Sequence, residues 1–308
     1  MLPNSFYIIN FSISIFASLI SILFGLLMII IIITNHEFRN IQNLMMCNTA
    51  FASIIYSILQ IISAYFGLRE DSSINQPACI FRTLCYNAVC ICVTTSYAMQ
   101  SISRLFFAVL YKYKFLLTYR IHLYLIILNY ILTIFGPIPL YLIKDGVGFE
   151  IESRLCTITT KVFSSSMWAV SIAYLIPVST VTIVYGIIFY YTKQSSRRVI
   201  RHTIMGPLVV ISEIQRRSCN VPNSKRELKL MKNIVILIGI MTCAGIPYLI
   251  LIIWNLLDVE ISPPESFYLI SMIIISIVCS IKMVILFFMN KDTKNVTIQY
   301  FKNFPIFS

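Results

Sequence analysis

Few side chains in this sequence could carry out chemistry, and those that could are kept apart. Lys282 is an amine inside a long apolar run, Ser266–Asn290. A cation in such surroundings is expensive, and three readings are open. It snorkels towards the nearer surface, hydrogen-bonds polar groups such as Ser53 and Asn48, or serves as a functional charge. The three histidines, His36, His122 and His202, all fall on or near one side of the apolar runs. None of the 12 acids stands inside a run. Paired carboxylates, a metal cluster or a proton relay therefore cannot be assembled there. The nine glycines are scattered and form no phosphate-cradling loop. No catalytic residue, metal or cofactor is expected, and the chain does not read as an enzyme.

The elements that hold these residues follow from composition. Apolar residues make up 58% of the 308 positions and charged residues 12%, against roughly 45–50% and 25% in soluble domains. So much apolar surface cannot be hidden from water behind so few charges. The long runs are about 6–34, 43–66, 79–110, 121–143, 165–192, 231–254 and 266–290. Each is near the roughly 20 residues that a helix needs to cross hydrocarbon. Helix is the expected form, because an open strand edge has no partner in lipid. Unbroken runs such as Leu26–Ile33 also differ from the alternating segments of a membrane barrel. The first run has no basic residue before it and no small-residue cleavage signal after it, so it reads as a retained helix. The predicted fold is an all-α membrane protein, one seven-transmembrane helix bundle spanning 1–308.

Charge gives the bundle a direction. Of the 24 Lys and Arg, 18 sort to one side and five to the other, with Lys282 inside. Cytoplasmic segments attract Lys and Arg, so the N-terminus is expected outside. Eight acids lie outside and four inside. Trp168 and Trp254 fall near the predicted outer boundary, as interfacial aromatics do. Topology thus accounts for the net charge of +12, and no nucleic-acid partner is expected. The segment 193–230 holds nine basic residues. It is either a flexible loop near anionic membrane lipid or a docking surface for a cytoplasmic partner. Residues 291–304 alternate polar and apolar and predict a short amphipathic eighth helix on the inner leaflet.

Nine cysteines are mostly packing residues within the runs. Cys156 is the only one in an outer loop, and Cys79 stands at the outer end of the third run. Both face an oxidising compartment, which predicts a disulfide between them; the alternative is two free thiols. The sequons at Asn10 and Asn295 fall within a run and on the inner side, and carry little weight.

Several residues together resemble the rhodopsin-like class of G-protein-coupled receptors. Cys79 and Arg104 are 25 residues apart, about 37 Å along a helix, matching the family's third-helix cysteine and arginine. Cys156 matches its loop cysteine. Pro177 and Tyr185 match the fifth-helix proline and tyrosine, and Pro247-Tyr248 the end of the sixth-helix Cys-Trp-x-Pro-Tyr motif. Met289–Asp292 resembles the junction to the eighth helix. The departures are also specific. Ser103-Arg104-Leu105 replaces Asp/Glu-Arg-Tyr, Ser53 stands for an aspartate, and Ala244-Gly245 stand for Cys-Trp. The fourth helix lacks its tryptophan, and Lys282, Met283 and Leu286 take the places of Asn, Pro and Tyr in Asn-Pro-x-x-Tyr. This pattern resembles divergent, lineage-expanded invertebrate receptors.

The resemblance implies a plasma-membrane receptor that passes the binding of an extracellular ligand, a peptide or small chemosensory molecule, to a heterotrimeric G protein. Arg104 would meet the G protein, with Tyr185 and Pro247 serving activation; otherwise Arg104 is an ordinary boundary arginine. Pro177 and Pro247 either kink their helices or are absorbed by packing. The ligand pocket is expected at Tyr86, Asn87, Cys90, Tyr248 and Met272, unless these merely pack the bundle. Tyr86 stands where amine receptors carry an aspartate, which argues against a protonated amine, while acidic outer loops favour a basic peptide. Ser276 stands at the retinal lysine's place in opsins, so a Schiff base is excluded. Other readings are a seven-helix ligand-gated channel, an orphan or non-signalling receptor, and a transporter, which the missing membrane acids disfavour. In the family a carboxylate at the place of Ser53 holds sodium. Ligand affinity in this chain is therefore expected to be equal in sodium and choline salts, and a several-fold sodium shift in a binding assay would refute that.

Overall fold

The computed structural model describes residues 3–35, 40–69, 76–205, 224–257 and 263–289. Three long helices come first: α1 (Asn4–Thr34), α2 (Ile41–Leu68) and α3 (Gln76–Ala108). Then α4 (Tyr119–Phe135) and α5 (Ile138–Leu142) share one crossing, followed by the strands β1 (Val147–Glu150) and β2 (Leu155–Ile158). The next crossing consists of α6 (Phe163–Val170), a π turn (Ser171–Leu175) and α7 (Ile176–Met205). The last two are α8 (Ser224–Leu256) and α9 (Glu265–Met289). Among the described residues six stretches are long and apolar enough to cross a membrane, and Thr242–Leu256 of α8 adds a shorter apolar helix.

The region 193–230, expected as a connecting loop, is helical at both ends, because α7 continues to Met205 and α8 begins at Ser224. A helix keeps its backbone hydrogen bonds within itself, so it can run past the membrane into water, where Lys, Arg and Gln are good helix formers. Residues 206–223 and the expected amphipathic helix at 291–304 lie outside the described residues.

Helix ends and breaks have local causes. Asn40 caps α2 by accepting the Asn43 amide at 2.8 Å. Gly136 and Pro137 separate α4 from α5, where the Leu140 amide turns to the Pro137 carbonyl at 3.0 Å. The Trp168 indole N–H donates to the Gly136 carbonyl at 3.0 Å. Before Pro177 the chain widens into the π turn, and the Ile176 amide bonds the Ser171 carbonyl. The wider turn accommodates the missing proline donor.

Lipid exerts no hydrophobic force between helices, so close approach and polar contacts hold them together. A Cβ on Gly25 would come within 2.8 Å of Ile54, and one on Gly67 within 2.5 Å of the buried Phe11 ring. Gln60 donates to the Ser14 hydroxyl at 2.9 Å, and Ser14 donates to Ser276 at 3.2 Å, joining α2, α1 and α9 inside the bundle. Gln100 of α3 bonds Thr49 of α2, and Thr95 of α3 bonds Asn129 of α4. Large side chains such as Phe16 and Ile183 point outward, where lipid receives them.

The segment between the fourth and fifth crossings is a hairpin whose register pairs Phe149 with Cys156 and Glu150 with Leu155. Cys79 and Cys156 are disulfide-bonded, which ties β2 to the outer end of α3 across 77 residues of sequence. Closing a loop of that length contributes at most about 4.5 kcal/mol in the chain-entropy model. Cys156→Ser is therefore expected to lower the unfolding midpoint of the purified protein, and reductant to lower the parent alone. Equal midpoints for variant and parent would show that the tie contributes nothing.

Candidate functional site

At the inner end of α3, Arg104 reaches across to α7 and its Nη1 donates to the Tyr185 hydroxyl at 3.3 Å. An apolar cluster of Ala98, Val181, Val184, Tyr185 and Ile188 presses the two helices together around this bond. Ser103, beside Arg104, is buried and brings no negative charge to the guanidinium. Two residues singled out separately in the sequence thus form one contact, 81 positions apart.

Pro247 lies within α8, where its ring removes the backbone donor that would otherwise reach the Cys243 carbonyl. One turn earlier the structure places a residue that sequence reasoning missed. Tyr174, from the π turn, donates its hydroxyl to the Thr242 carbonyl at 2.9 Å. Its ring lies against Gly245, where a Cβ would come within 2.4 Å. The space beside Gly245, which has no side chain of its own, is therefore filled by an aromatic ring from the neighbouring crossing. Gly245 was the available signal, since a missing ring in a packed core leaves room for another.

Four of the five expected pocket residues fall into two clusters, with Asn87 in neither. Tyr86 and Cys90 of α3 pack with Tyr56, Tyr97 and Cys279. The Tyr86 and Tyr56 hydroxyls are 2.8 Å apart. Tyr248 and Met272 belong to a cluster with Tyr268, Leu251 and Leu155, the last contributed by the hairpin. Asn87 is only 5% exposed, and its amide nitrogen has no hydrogen-bond partner. An orphan buried donor of this kind is a place for a water or a ligand acceptor.

Lys282 is 4% exposed, with its ammonium 5.6 Å from the centre of the Tyr97 ring. That placement does not suit a side chain snorkelling to the surface. Nor does the expected bond to Ser53 or Asn48 form; the Ser53 hydroxyl instead donates to the Thr49 carbonyl at 2.8 Å. What faces the ammonium is a π surface, a weak cation acceptor.

The hairpin also buries an acid that the sequence did not single out. Glu150 is 6% exposed and accepts hydrogen bonds from Thr160 at 2.8 Å and Ser153 at 3.0 Å. Burial pushes its carboxyl above the usual range, against the opposing effect of those two hydroxyls. A carboxyl whose folded value is raised binds its proton more readily folded than unfolded. Its contribution to stability is then greatest at acid pH and is lost as pH rises through the folded value. Nearby, Lys161 and Glu152 form an exposed ion pair at 2.7 Å, of the kind that contributes little.

Nothing in this arrangement sets a nucleophile beside a base and an acid. It offers apolar walls, two paired tyrosine hydroxyls and an orphan amide in the outer half, and a charged contact between two helices in the inner half. This is chemistry for binding and for movement.

The family model described as seven-transmembrane receptor (rhodopsin family) matches residues 25–286. Among solved structures the fold is similar to squid rhodopsin, with a TM-score of 0.79 at 12% identity, covering 98% of this chain and 87% of that one. No curated protein matches the sequence. As pH falls through the raised value of Glu150 towards the ordinary carboxylate range, the unfolding midpoint is expected to gain a rising contribution that Glu150→Gln removes. An unchanged slope in the variant would remove Glu150 as its source.

Proposed function

Because this chain belongs to the rhodopsin family of seven-transmembrane receptors, we propose that it binds an extracellular ligand at the plasma membrane and transmits the event to a heterotrimeric G protein. The family and the fold are those of receptors. The ligand, a peptide or a small chemosensory molecule, enters between the outer halves of the helices. Tyr86, Asn87 and Cys90 line one side and Tyr248 and Met272 the other, with the Asn87 amide as the polar anchor. At the opposite end Arg104, Tyr185 and Pro247 couple ligand binding to the cytoplasmic face. A ligand shifts the equilibrium only by binding one arrangement of the bundle better than the other.

The observation that carries this reading is the bond from Arg104 to Tyr185. A family aspartate or glutamate beside the arginine would restrain it on α3. Ser103 offers no such restraint, so the guanidinium is available to a partner on α7. The chain is accordingly built with a weak inactive lock and an elevated basal output.

The test is a signalling assay in cells that report several G-protein pathways. Ser103→Asp is expected to lower ligand-independent output. Tyr185→Phe removes one hydrogen bond, about 1 kcal/mol or roughly fivefold in the active fraction, and Arg104→Ala abolishes the response. Basal output that Ser103→Asp leaves unchanged, at equal surface expression, would overturn the weak lock. A chain that is silent on every pathway, with Arg104→Ala indistinguishable from the parent, would overturn the coupling itself.

A further inference from the structure

The connection between α3 and α4 turns a dense group of cations and rings outward. Lys112, Lys114 and Arg120 are exposed, and none of them is paired with an acid among the described residues. Interspersed with them, Tyr111, Tyr113, Phe115 and Tyr119 are each more than half exposed. No Asp or Glu occurs anywhere between Asp71 and Asp145. The connection is nonetheless built to a definite shape. The Tyr113 amide bonds the Leu110 carbonyl and the Leu116 amide the Tyr113 carbonyl, both at 3.0 Å, through a 3-10 turn at Lys114–Leu117. The Tyr113 and Phe115 rings meet edge to face with their centres 6.3 Å apart. So many exposed rings beside unpaired cations mark a surface that something covers.

Helix α4 continues this surface along the membrane. Arg120, Tyr124, Ile127 and Ile131 follow one another at spacings of three or four, so they share one helix face. All four are exposed, whereas His122 and Asn129, on the opposite face, are fully buried. Arg120 thus stands at the inner end of a lipid-facing stripe, where hydrocarbon gives way to headgroups. Thr118 donates its hydroxyl to the Phe115 carbonyl at 2.7 Å and makes no side-chain cap, so the positive end of α4 adds to the same patch. Guanidinium and ammonium groups suit phosphate oxygens, and tyrosine and phenylalanine rings suit the hydrocarbon boundary beside them. A soluble anion would meet the cations and leave the stripe uncovered. A lipid meets both. Three cations without an acid match a headgroup that carries several phosphate charges better than a single phosphodiester.

We propose that Lys112, Lys114 and Arg120 form a binding site for the headgroup of a phosphorylated inositol lipid, whose acyl chains lie along Tyr124, Ile127 and Ile131. The site shares no residue with the expected pocket or with the contact between Arg104 and Tyr185. An occupant would hold the connection between α3 and α4 against the bilayer. The site rests on the receptor reading for its biological consequence alone, since binding can be measured without signalling.

The full chain is placed in phosphatidylcholine nanodiscs holding graded amounts of phosphatidylinositol bisphosphate, and the unfolding midpoint is followed. The midpoint is expected to rise saturably, and to rise far less with phosphatidylglycerol at matched total charge. Lys114→Gln and Arg120→Gln are each expected to raise the lipid fraction at half-saturation about fivefold, and the triple variant with Lys112→Gln about a hundredfold. All three positions are exposed, so the variants are expected to match the parent in pure phosphatidylcholine. Lys193→Gln, at an exposed cation on α7, is expected to leave the half-saturation point in place. The proposal is overturned by the absence of a saturable rise, by an equal rise with phosphatidylglycerol, or by a loss in Lys193→Gln equal to that in Arg120→Gln. A matching rise with free inositol trisphosphate would assign the patch to a soluble anion and overturn it too. So would a triple variant that keeps the lipid response but loses G-protein coupling, since that assigns the surface to a cytoplasmic protein. Silence on every signalling pathway with the lipid effect intact would sink the receptor reading and leave the lipid site standing.

Discussion

Hydrocarbon offers no hydrogen bond to a peptide group, and most of this architecture answers that constraint. Each crossing must satisfy its own backbone, which makes it a helix. Every departure from regular helix then needs a substitute partner. At Gly136 the substitute is the Trp168 indole; at the π turn before Pro177 it is an amide reaching one residue further back. Near Pro247 a tyrosine hydroxyl is added to the Thr242 carbonyl. The irregularities at Pro177 and Pro247 are linked, because Tyr174 sits in the first and bonds α8 one turn before the second. Movement at either one would be felt at the other.

The same dry interior explains how sparingly polar groups are spent. Ser14, Gln60 and Ser276 bond one another across three helices, and Thr49 with Gln100 and Thr95 with Asn129 do so across two. Such contacts hold a bundle that hydrophobicity alone would not order in lipid. Against that background Lys282, facing the Tyr97 ring, and Asn87, with an orphan amide, are exceptions in the interior. Buried polar groups without good partners are where functional sites are found more often than elsewhere.

Outside the bilayer the rules change, and the hairpin shows it. Strands become affordable because each pairs with the other and with water. The disulfide, the buried Glu150 with its two hydroxyl donors, and the Tyr7 hydroxyl bonded to the Glu152 carbonyl at 3.1 Å all anchor it over the bundle. Its two faces then differ, Leu155 closing the core around Tyr248 and Met272 while the paired Phe149 and Cys156 take the opposite side.

Much of this was legible in the residues. Unbroken apolar runs announce helices because the physics of a crossing is local: about 20 apolar residues suffice, whatever the rest of the chain does. The Cys79–Cys156 pairing was equally readable, since few cysteines could face an oxidising compartment. Other features depend on residues far apart and could not be read from spacing. The hairpin is too short for its alternation to stand out, and its register assigns Glu150 and Phe149 to opposite faces only once the strands pair. The division of Tyr86 and Cys90 from Tyr248 and Met272 and the filling of Gly245 by Tyr174 are likewise products of packing. Local composition determined what crosses the membrane, because lipid judges each segment by itself. Only the tertiary structure decided which side chains meet, because that depends on how seven crossings share one interior.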